Sequence, residues 1–246
     1  MAYLTSLLFA AALLCDPGYP VDVAASGEQL FVADREPPAV WRKTSDGWLP
    51  VAESHAFGAP RAIAADGDVL FVADTQLRTV WRVADGTTEF AAVQTPVAMA
   101  VAGGHLWIAD ALTQTVQAVR IADGTAVASL RWRGVRGLAA DGDAVLALDA
   151  DGHVAKLTLD RSTIDRTDLF TVELEYPADL VADAGRIAIS DSYGGQVVFF
   201  SRDGKPTGQP ITDGLDYPVG LALDARGLHV ADSHAVSVAT FEWPEN

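Results

Sequence analysis

Six aspartates recur along the 246-residue chain at intervals of 36 to 42 residues, and each follows an apolar stretch. They are Asp34, Asp74, Asp110, Asp149, Asp191 and Asp232. Six carboxylates in equivalent positions could form a cation-binding ring. However, an aspartate that ends a strand before a tight turn also accepts backbone N–H groups two residues further on. Because one structural role explains all six copies, we interpret them as turn-stabilising residues.

Four other charged residues occupy positions where most repeats carry small or apolar residues: Asp22, Arg61, Arg136 and Asp179. Two arginines could hold a carboxylate or a phosphate, because the guanidinium group is a planar fork of donors. Asp22 and Asp179 could bind Ca²⁺, which prefers hard oxygen ligands. The alternative is that aspartates and arginines form salt bridges with one another and bind no ligand.

The elements that position these residues follow from an internal repeat of about 40 residues. The sequence FVAD at 31–34 recurs at 71–74, and VWR at 40–42 recurs at 80–82. A proline opens five of the copies and Val135 opens the fourth; the prolines are Pro20, Pro60, Pro96, Pro177 and Pro218. A fixed period of this kind predicts a repeat architecture.

Each copy contains short apolar runs between turn signals, which is the pattern of β-strands rather than of helices. Glycine-containing turns separate the first run from the second; they are Asp66-Gly67, Gly103-Gly104, Asp141-Gly142, Ala184-Gly185 and Arg226-Gly227. Such pairs are typical of tight hairpins. Each copy therefore predicts about four short strands, the content of one blade of a β-propeller.

Six four-stranded antiparallel sheets bury their faces by stacking around an axis, and closing the ring removes the exposed ends. We therefore predict an all-β fold, a single six-bladed β-propeller over residues 1–246. The residues that follow each opening position then line the mouth of the central channel. The turns between second and third strands lie on the same face. The predicted ligand-binding residues are Asp22, Arg61, Arg136, Asp179, Tyr193 and His234.

The first 15 residues, MAYLTSLLFAAALLC, form an apolar run. The sixth repeat lacks a fourth strand, so we predict that residues 1–16 supply the outer strand of blade six and close the ring. The alternative is a signal peptide, although no Lys or Arg precedes the run and the cleavage site is poor. The closing strand predicts a cytoplasmic protein, whereas a signal peptide predicts a secreted or periplasmic one.

The composition argues against several classes of partner. The chain has 33 acidic and 17 basic residues and a formal net charge of −16. Nucleic-acid binding relies on clustered Lys and Arg, so we expect no nucleic-acid partner and no binding to an anionic membrane. The single cysteine, Cys15, forms no intrachain disulfide and belongs to no Cys/His metal motif. We expect a monomer.

The repeat resembles the NHL repeat over essentially the whole chain. The best copy reads YPVGLALD at 217–224 and LHVADS at 228–233, and Tyr-Pro pairs at 176–177 and 19–20 echo it. The Asn-His pair typical of that family is missing; Ser233-His234 is the nearest match. The chain is thus NHL-like, within a broader group that includes gluconolactonase-like and strictosidine-synthase-like propellers.

The resemblance carries few functional residues with it. Gluconolactonase-like enzymes hold a divalent cation with acidic and asparagine side chains. Asp22 and Asp179 could replace the acidic ligands, but the only asparagine here is Asn246. No GxSxG motif and no nucleophile–base pair can be identified, and we predict no catalytic residue.

We therefore predict a non-catalytic binding or scaffold propeller that presents one face and its channel mouth to a protein or a small ligand. No cofactor is firmly indicated, and Ca²⁺ is the one candidate. The alternative function is a Ca²⁺-dependent, gluconolactonase-like hydrolase acting at the channel mouth. A third reading is an engineered propeller with no natural ligand.

Overall fold

A computed structural model describes residues 16–51 and 56–243 of the chain. The strands are β1 (Pro20–Ser26), β2 (Gln29–Arg35), β3 (Pro38–Thr44), β4 (Gly47–Pro50), β5 (Pro60–Asp66), β6 (Val69–Asp74), β7 (Thr79–Val83), β8 (Thr87–Ala92), β9 (Pro96–Ala102), β10 (His105–Asp110), β11 (Thr115–Arg120), β12 (Ala126–Arg131), β13 (Val135–Asp141), β14 (Ala144–Asp149), β15 (His153–Asp160), β16 (Thr163–Thr171), β17 (Pro177–Ala182), β18 (Arg186–Asp191), β19 (Gln196–Ser201), β20 (Pro218–Asp224), β21 (Gly227–Asp232) and β22 (Ser237–Phe241). Each predicted opening residue begins an inner strand.

The strands form six antiparallel sheets in chain order, blades one to six, so the predicted six-bladed β-propeller is confirmed. Blades one to four each contain four strands (β1–β4, β5–β8, β9–β12 and β13–β16). In the described residues, blades five and six contain three, β17–β19 and β20–β22. Beside β19, residues 205–211 make only two isolated bridges. Pro206 and Pro210 interrupt a regular ladder there because proline has no N–H to donate.

The blades pack face to face around the ring. Six apolar clusters fill the six spaces between neighbouring blades, including the space between blade six and blade one. In that last space Val32 of β2 packs with Ala231 of β21, both fully buried. The Ser233 hydroxyl also donates to the Pro20 carbonyl across the same junction, at 2.6 Å. The two ends of the described chain therefore meet in a closed ring.

The inner strands are irregular where they enter the channel. In β1, β5, β13, β17 and β20 the register with the second strand shifts within the first residues of the strand, and in blade three it shifts at the facing residue, Asp110. A bulge of this kind bends the strand and re-aims side chains. The four charged residues of the predicted channel mouth lie at or next to these shifts.

The predicted closing strand falls mainly on residues 1–15, which lie outside the described residues. The edge strand that it was predicted to pair with, β22, is only partly buried along its length. Within the described residues, no helix has the length and apolar character needed to cross a membrane.

Candidate functional site: the channel mouth

The six strand-ending aspartates, hereafter the rim aspartates, are buried and accept hydrogen bonds from the backbone. Asp74 shows the pattern: it accepts from the amides of Gly58 and Ala59 before the blade and from those of Gln76 and Leu77 in the following turn, at 2.6–3.1 Å. Equivalent bonds, with amide donors from both sides, are accepted by Asp34, Asp110, Asp191 and Asp232. These residues therefore join the start of each blade to its second turn, as the structural interpretation of the repeat requires.

Blade four modifies this arrangement. Asp149 accepts a hydrogen bond from the Trp132 indole N–H at 3.0 Å, and its carboxylate contacts the His153 ring. Asp149, Asp151 and His153 are close enough to share a metal ion. However, the amides of Asp151 and His153 already donate to Asp149 Oδ1. These contacts give the group the same turn-stabilising role as the other rim aspartates.

The central channel contains a cavity of about 220 Å³, lined by the inner strands of all six blades. Most of its lining is Ala, Val and Leu. The charged lining residues are Asp22, Arg61, Arg136 and Asp179, so the structure brings together all four that the sequence placed there. They come from blades one, two, four and five.

The two channel aspartates bind across to the next blade. Asp22 Oδ2 accepts from the Ile63 amide of blade two, and Asp179 Oδ2 accepts from the Leu221 amide of blade six, at 2.8 and 2.9 Å. Asp22 Oδ1 also accepts from the Val23 amide at 2.8 Å. Each carboxylate thus links two inner strands across a blade junction.

A glycine in the preceding blade makes room for each channel aspartate. A methyl group on Gly220 would lie 2.6 Å from Asp22 Oδ1, and one on Gly137 would lie 2.9 Å from Asp179 Oδ1. The equivalent residues in blades two and three are Ala62 and Ala98. Only Gly leaves space for the neighbouring carboxylate. The sequence contains both Gly–Asp pairs, with each glycine one blade before its aspartate. Their contact becomes apparent only when neighbouring blades are placed side by side in the ring.

The two channel arginines hydrogen-bond to backbone carbonyls rather than to the channel aspartates. Within residues 16–51 and 56–243, Arg61 donates to the Val21 carbonyl (3.5 Å) and Arg136 donates to the Pro177 carbonyl (3.2 Å), and neither forms an ion pair with Asp22 or Asp179. The salt-bridge alternative is therefore wrong for this part of the chain. Backbone carbonyls of the neighbouring blade, rather than carboxylates, accept the hydrogen bonds of the two arginines.

Burial has an electrostatic consequence for the two channel aspartates, which the charge of Arg61 only partly offsets. Burial raises the pKa of Asp22 to about 7, although the amides of Ile63 and Val23 lower it. Burial, with the charge of Asp22 in addition, raises the pKa of Asp179 well above its ordinary value. The two groups therefore titrate as an interacting pair. Shifted carboxyl groups in a cavity are typical of functional sites, although structural networks also produce them.

An aromatic cluster stands beside the mouth on blades five and six. The Tyr193 ring lies 4.6 Å from the Tyr176 ring and 5.8 Å from the Tyr217 ring. The His234 ring stacks on Tyr217 at 4.5 Å, and the Arg136 guanidinium lies 3.7 Å above Tyr176. Tyr193 and His234 are therefore near the channel mouth, as predicted. Sequence reasoning missed Tyr176 and Tyr217, although the recurring Tyr-Pro pair marked both.

Exposed apolar side chains are concentrated on this same face, which we call the mouth face: the face that carries the turns between the second and third strands. Five large hydrophobic residues of the described chain are exposed, and four lie in those turns. They are Leu77, Leu112, Tyr193 and Val236, whereas the fifth, Leu169, lies in β16. The mouth face thus combines exposed apolar groups with the charged channel entrance.

These features define a class: a closed six-bladed β-propeller with a charged channel mouth flanked by aromatic rings. No protein-family model and no curated protein matches the chain. Solved structures do match. The chain is similar to one in the crystal structure of a nidogen/laminin complex, with a TM-score of 0.72, 16% identity, and coverage of 88% of this chain and 86% of that one.

Two further structures support the same fold. A protein of unknown function from Bacteroides thetaiotaomicron matches with a TM-score of 0.70 and 16% identity, over 91% of this chain and 69% of that one. A streptogramin B lyase matches with a TM-score of 0.63 and 10% identity, over 92% and 94%. At these identities the similarity establishes the propeller fold alone, because this fold carries many unrelated activities.

Proposed function

We propose that this propeller is a binding module that holds a ligand on its mouth face and performs no chemistry on it. One observation carries the proposal: four of the five exposed large hydrophobic residues of the described chain lie in equivalent turns around the channel entrance. The four residues lie on blades two, three, five and six. Their distribution on one face is what makes these four informative.

The channel mouth adds the polar groups that give such a site its specificity. Ligand sites are concave and mostly apolar, with a few convergent polar groups. The cavity here has that composition: an apolar wall with two arginines and two aspartates at one entrance. The rigid inner strands fix these groups before any ligand arrives, which lowers the entropic cost of binding.

The proposal is tested by screening a fragment library with saturation-transfer difference NMR. The screen compares the wild type with a triple variant, Leu77→Ser, Leu112→Ser and Tyr193→Ser. Leu169→Ser is the matched control, because it removes the exposed hydrophobic residue that lies off the mouth face. We expect hits that are lost in the triple variant and kept in the control. Fragments that bind the triple variant as well as the wild type, or a screen with no hits at all, would contradict a binding role for this face.

A Ca²⁺-dependent hydrolase is the second candidate, and the shared cavity position of Asp22 and Asp179 favours it. The fit to calcium is incomplete. Ca²⁺ takes six to eight oxygen ligands, but both Asp22 oxygens and one Asp179 oxygen already accept backbone amides. The arginines occupy the nearby Val21 and Pro177 carbonyls. The described site therefore offers calcium few free ligands.

Thermal unfolding with and without Ca²⁺, Mg²⁺ and Zn²⁺ separates the two candidates. A metal that binds the native state raises the melting temperature by mass action. The binding-module proposal predicts no shift with any of the three metals and none after chelator treatment. A shift with Ca²⁺ that disappears in both Asp22→Asn and Asp179→Asn would favour the hydrolase.

A further inference from the structure

We propose that the mouth binds a small molecule that carries both an aromatic ring and a carboxylate, with the ring on Tyr193 and the carboxylate on Arg136. This inference rests on the proposed function of the mouth face and specifies its ligand. It depends on a chain of contacts that joins a fixed cation to an exposed aromatic ring.

The ring-binding half is Tyr193, whose side chain is 63% exposed. Tyr193 is not isolated, because it leans on Tyr176 and Tyr217 at 4.6 and 5.8 Å. Tyr217 is in turn stacked on His234. Support from behind fixes the orientation of the Tyr193 ring, so a ligand ring can stack on it with little further loss of freedom. Aromatic pairs favour offset or edge-to-face packing at such distances.

The anion-binding half is Arg136, which lines the cavity and lies over Tyr176 at 3.7 Å. Within the described chain, its Nη1 donates one hydrogen bond, to the Pro177 carbonyl. Of the five donors of a guanidinium group, others therefore remain for a ligand. Stacking on Tyr176 holds the guanidinium plane, and a fixed plane favours a two-point contact with a carboxylate.

The neighbouring acidic group does not occupy this position. Asp179 directs Oδ2 into the junction between blades five and six, where the Leu221 amide donates to it. Arg61 in blade two provides a natural comparison. It also lines the cavity and bonds to the carbonyl of a neighbouring blade, but no aromatic contact to it exists in the described structure. The combined site therefore belongs to Arg136 and not to Arg61.

Isothermal titration calorimetry with 3-phenylpropionate tests the proposal on the full chain. The neutral amide, 3-phenylpropionamide, removes the charge, and butyrate removes the ring. We expect each to bind about tenfold more weakly or worse, because a charge-assisted hydrogen bond or a stacked ring contributes at that level. Equal affinity of the acid and its amide would overturn the proposal.

Substitutions locate the binding site. Arg136→Gln is expected to weaken 3-phenylpropionate binding about tenfold and Tyr193→Ala about fivefold. Arg42→Gln, which changes an exposed arginine of β3 outside the channel, is the matched control and is expected to change it less than twofold. If Arg136→Gln fails to fold, Arg136→Lys keeps the charge, loses the fork and is expected to weaken binding severalfold. Equal losses for Arg42→Gln and Arg136→Gln would contradict the assignment.

The outcomes also separate this inference from the proposed function. If uncharged fragments still bind the mouth face while 3-phenylpropionate does not, the ligand class is wrong and the binding face remains. If neither binds, both proposals fail.

Discussion

The rim aspartate Asp110 and the channel aspartate Asp22 are the same residue type in the same ring, yet the pKa of Asp110 is lowered and that of Asp22 is raised. Asp110 on the rim accepts amides from both sides of its turn: those of Gln94 and Thr95 before the blade, and those of Leu112 and Thr113 after β10. Burial alone would raise the pKa of Asp110, but these hydrogen bonds lower it overall. For Asp22, burial wins and the pKa rises to about 7.

The difference between Asp22 and Asp110 shows that the balance between burial and hydrogen bonds from amides sets the direction of each pKa shift. Hydrogen bonds to the charged form favour that form, and desolvation opposes it. Asp22 has two amide donors and shares its cavity with Asp179, whereas Asp110 has four amide donors. The aspartates that recur in every blade therefore stabilise the fold, whereas the residues that depart from the repeat form the candidate site.

We expect the loss of a rim aspartate to have the largest effect on the stability of the protein. Asp74→Ala leaves four backbone amides without their acceptor, and we expect it to lower the free energy of unfolding by about 4 kcal/mol or more, since each unsatisfied buried donor costs about 1–3 kcal/mol. Urea unfolding followed by circular dichroism measures this loss. Asp85→Ala, at an exposed position, is the control and should stay within about 0.5 kcal/mol of wild type. A loss for Asp74→Ala as small as that of the control would remove the structural role.

Filling the space beside a channel aspartate should have the next largest effect. Gly220→Ala brings a methyl group within 2.6 Å of the Asp22 carboxylate and 2.7 Å of its Cα, so the strands must shift. We expect a loss of about 2 kcal/mol in the free energy of unfolding. Gly86→Ala is the matched control, because its added methyl group meets nothing within 4 Å. Similar stability of the two variants would show that the Gly–Asp pairing is not tight.

The dependence of stability on pH also distinguishes the channel aspartates from the rim aspartate Asp110. The folded pKa of Asp22, about 7, is above its ordinary 3.8, so ionisation opposes folding. Its contribution is most favourable below about pH 4 and is lost as the pH rises to about 7, and the raised pKa of Asp179 adds a loss of the same sign. The lowered pKa of Asp110 has the opposite sign, and its contribution is lost as the pH falls below about 4.

Asp22→Asn separates the channel contribution from the rim. Because Asn stays neutral, the variant should gain stability relative to wild type as the pH rises from about 4 to 8, by about 2 kcal/mol after allowing for solvent in the open cavity. Asn also has one carboxamide oxygen instead of two carboxylate oxygens, so the variant loses one hydrogen-bond acceptor. This loss changes the free energy of unfolding by an amount that does not depend on pH. A difference between the two proteins that does not change with pH would contradict the raised pKa of Asp22.

The sequence predicted the ring better than the site. Each opening proline, and Val135 in its place, begins an inner strand, and the rim aspartates end or nearly end the second strands. The channel positions of Asp22, Arg61, Arg136 and Asp179 were also predicted, because position within a repeat fixes position in a ring. How those side chains are paired was not, since the bulges at the strand entrances and the glycines of neighbouring blades decide it.

The aromatic cluster likewise shows that a sequence pattern predicts equivalent positions but not the contacts between them. Tyr176 and Tyr217 lie 41 residues apart, at equivalent positions of successive repeats, so their similarity was visible. Their contact through Tyr193 depends on the angle between two blades, which no local pattern contains.

The most direct test of the contrast between rim and channel is a ¹³C NMR titration of the aspartate side-chain carboxyl groups in the folded protein. We predict that Asp22 titrates near pH 7 and that Asp179 titrates well above its ordinary range, while Asp110 titrates below 3.8. If Asp22 and Asp179 titrate at or below the ordinary value of 3.8, the distinction between scaffold and site is contradicted.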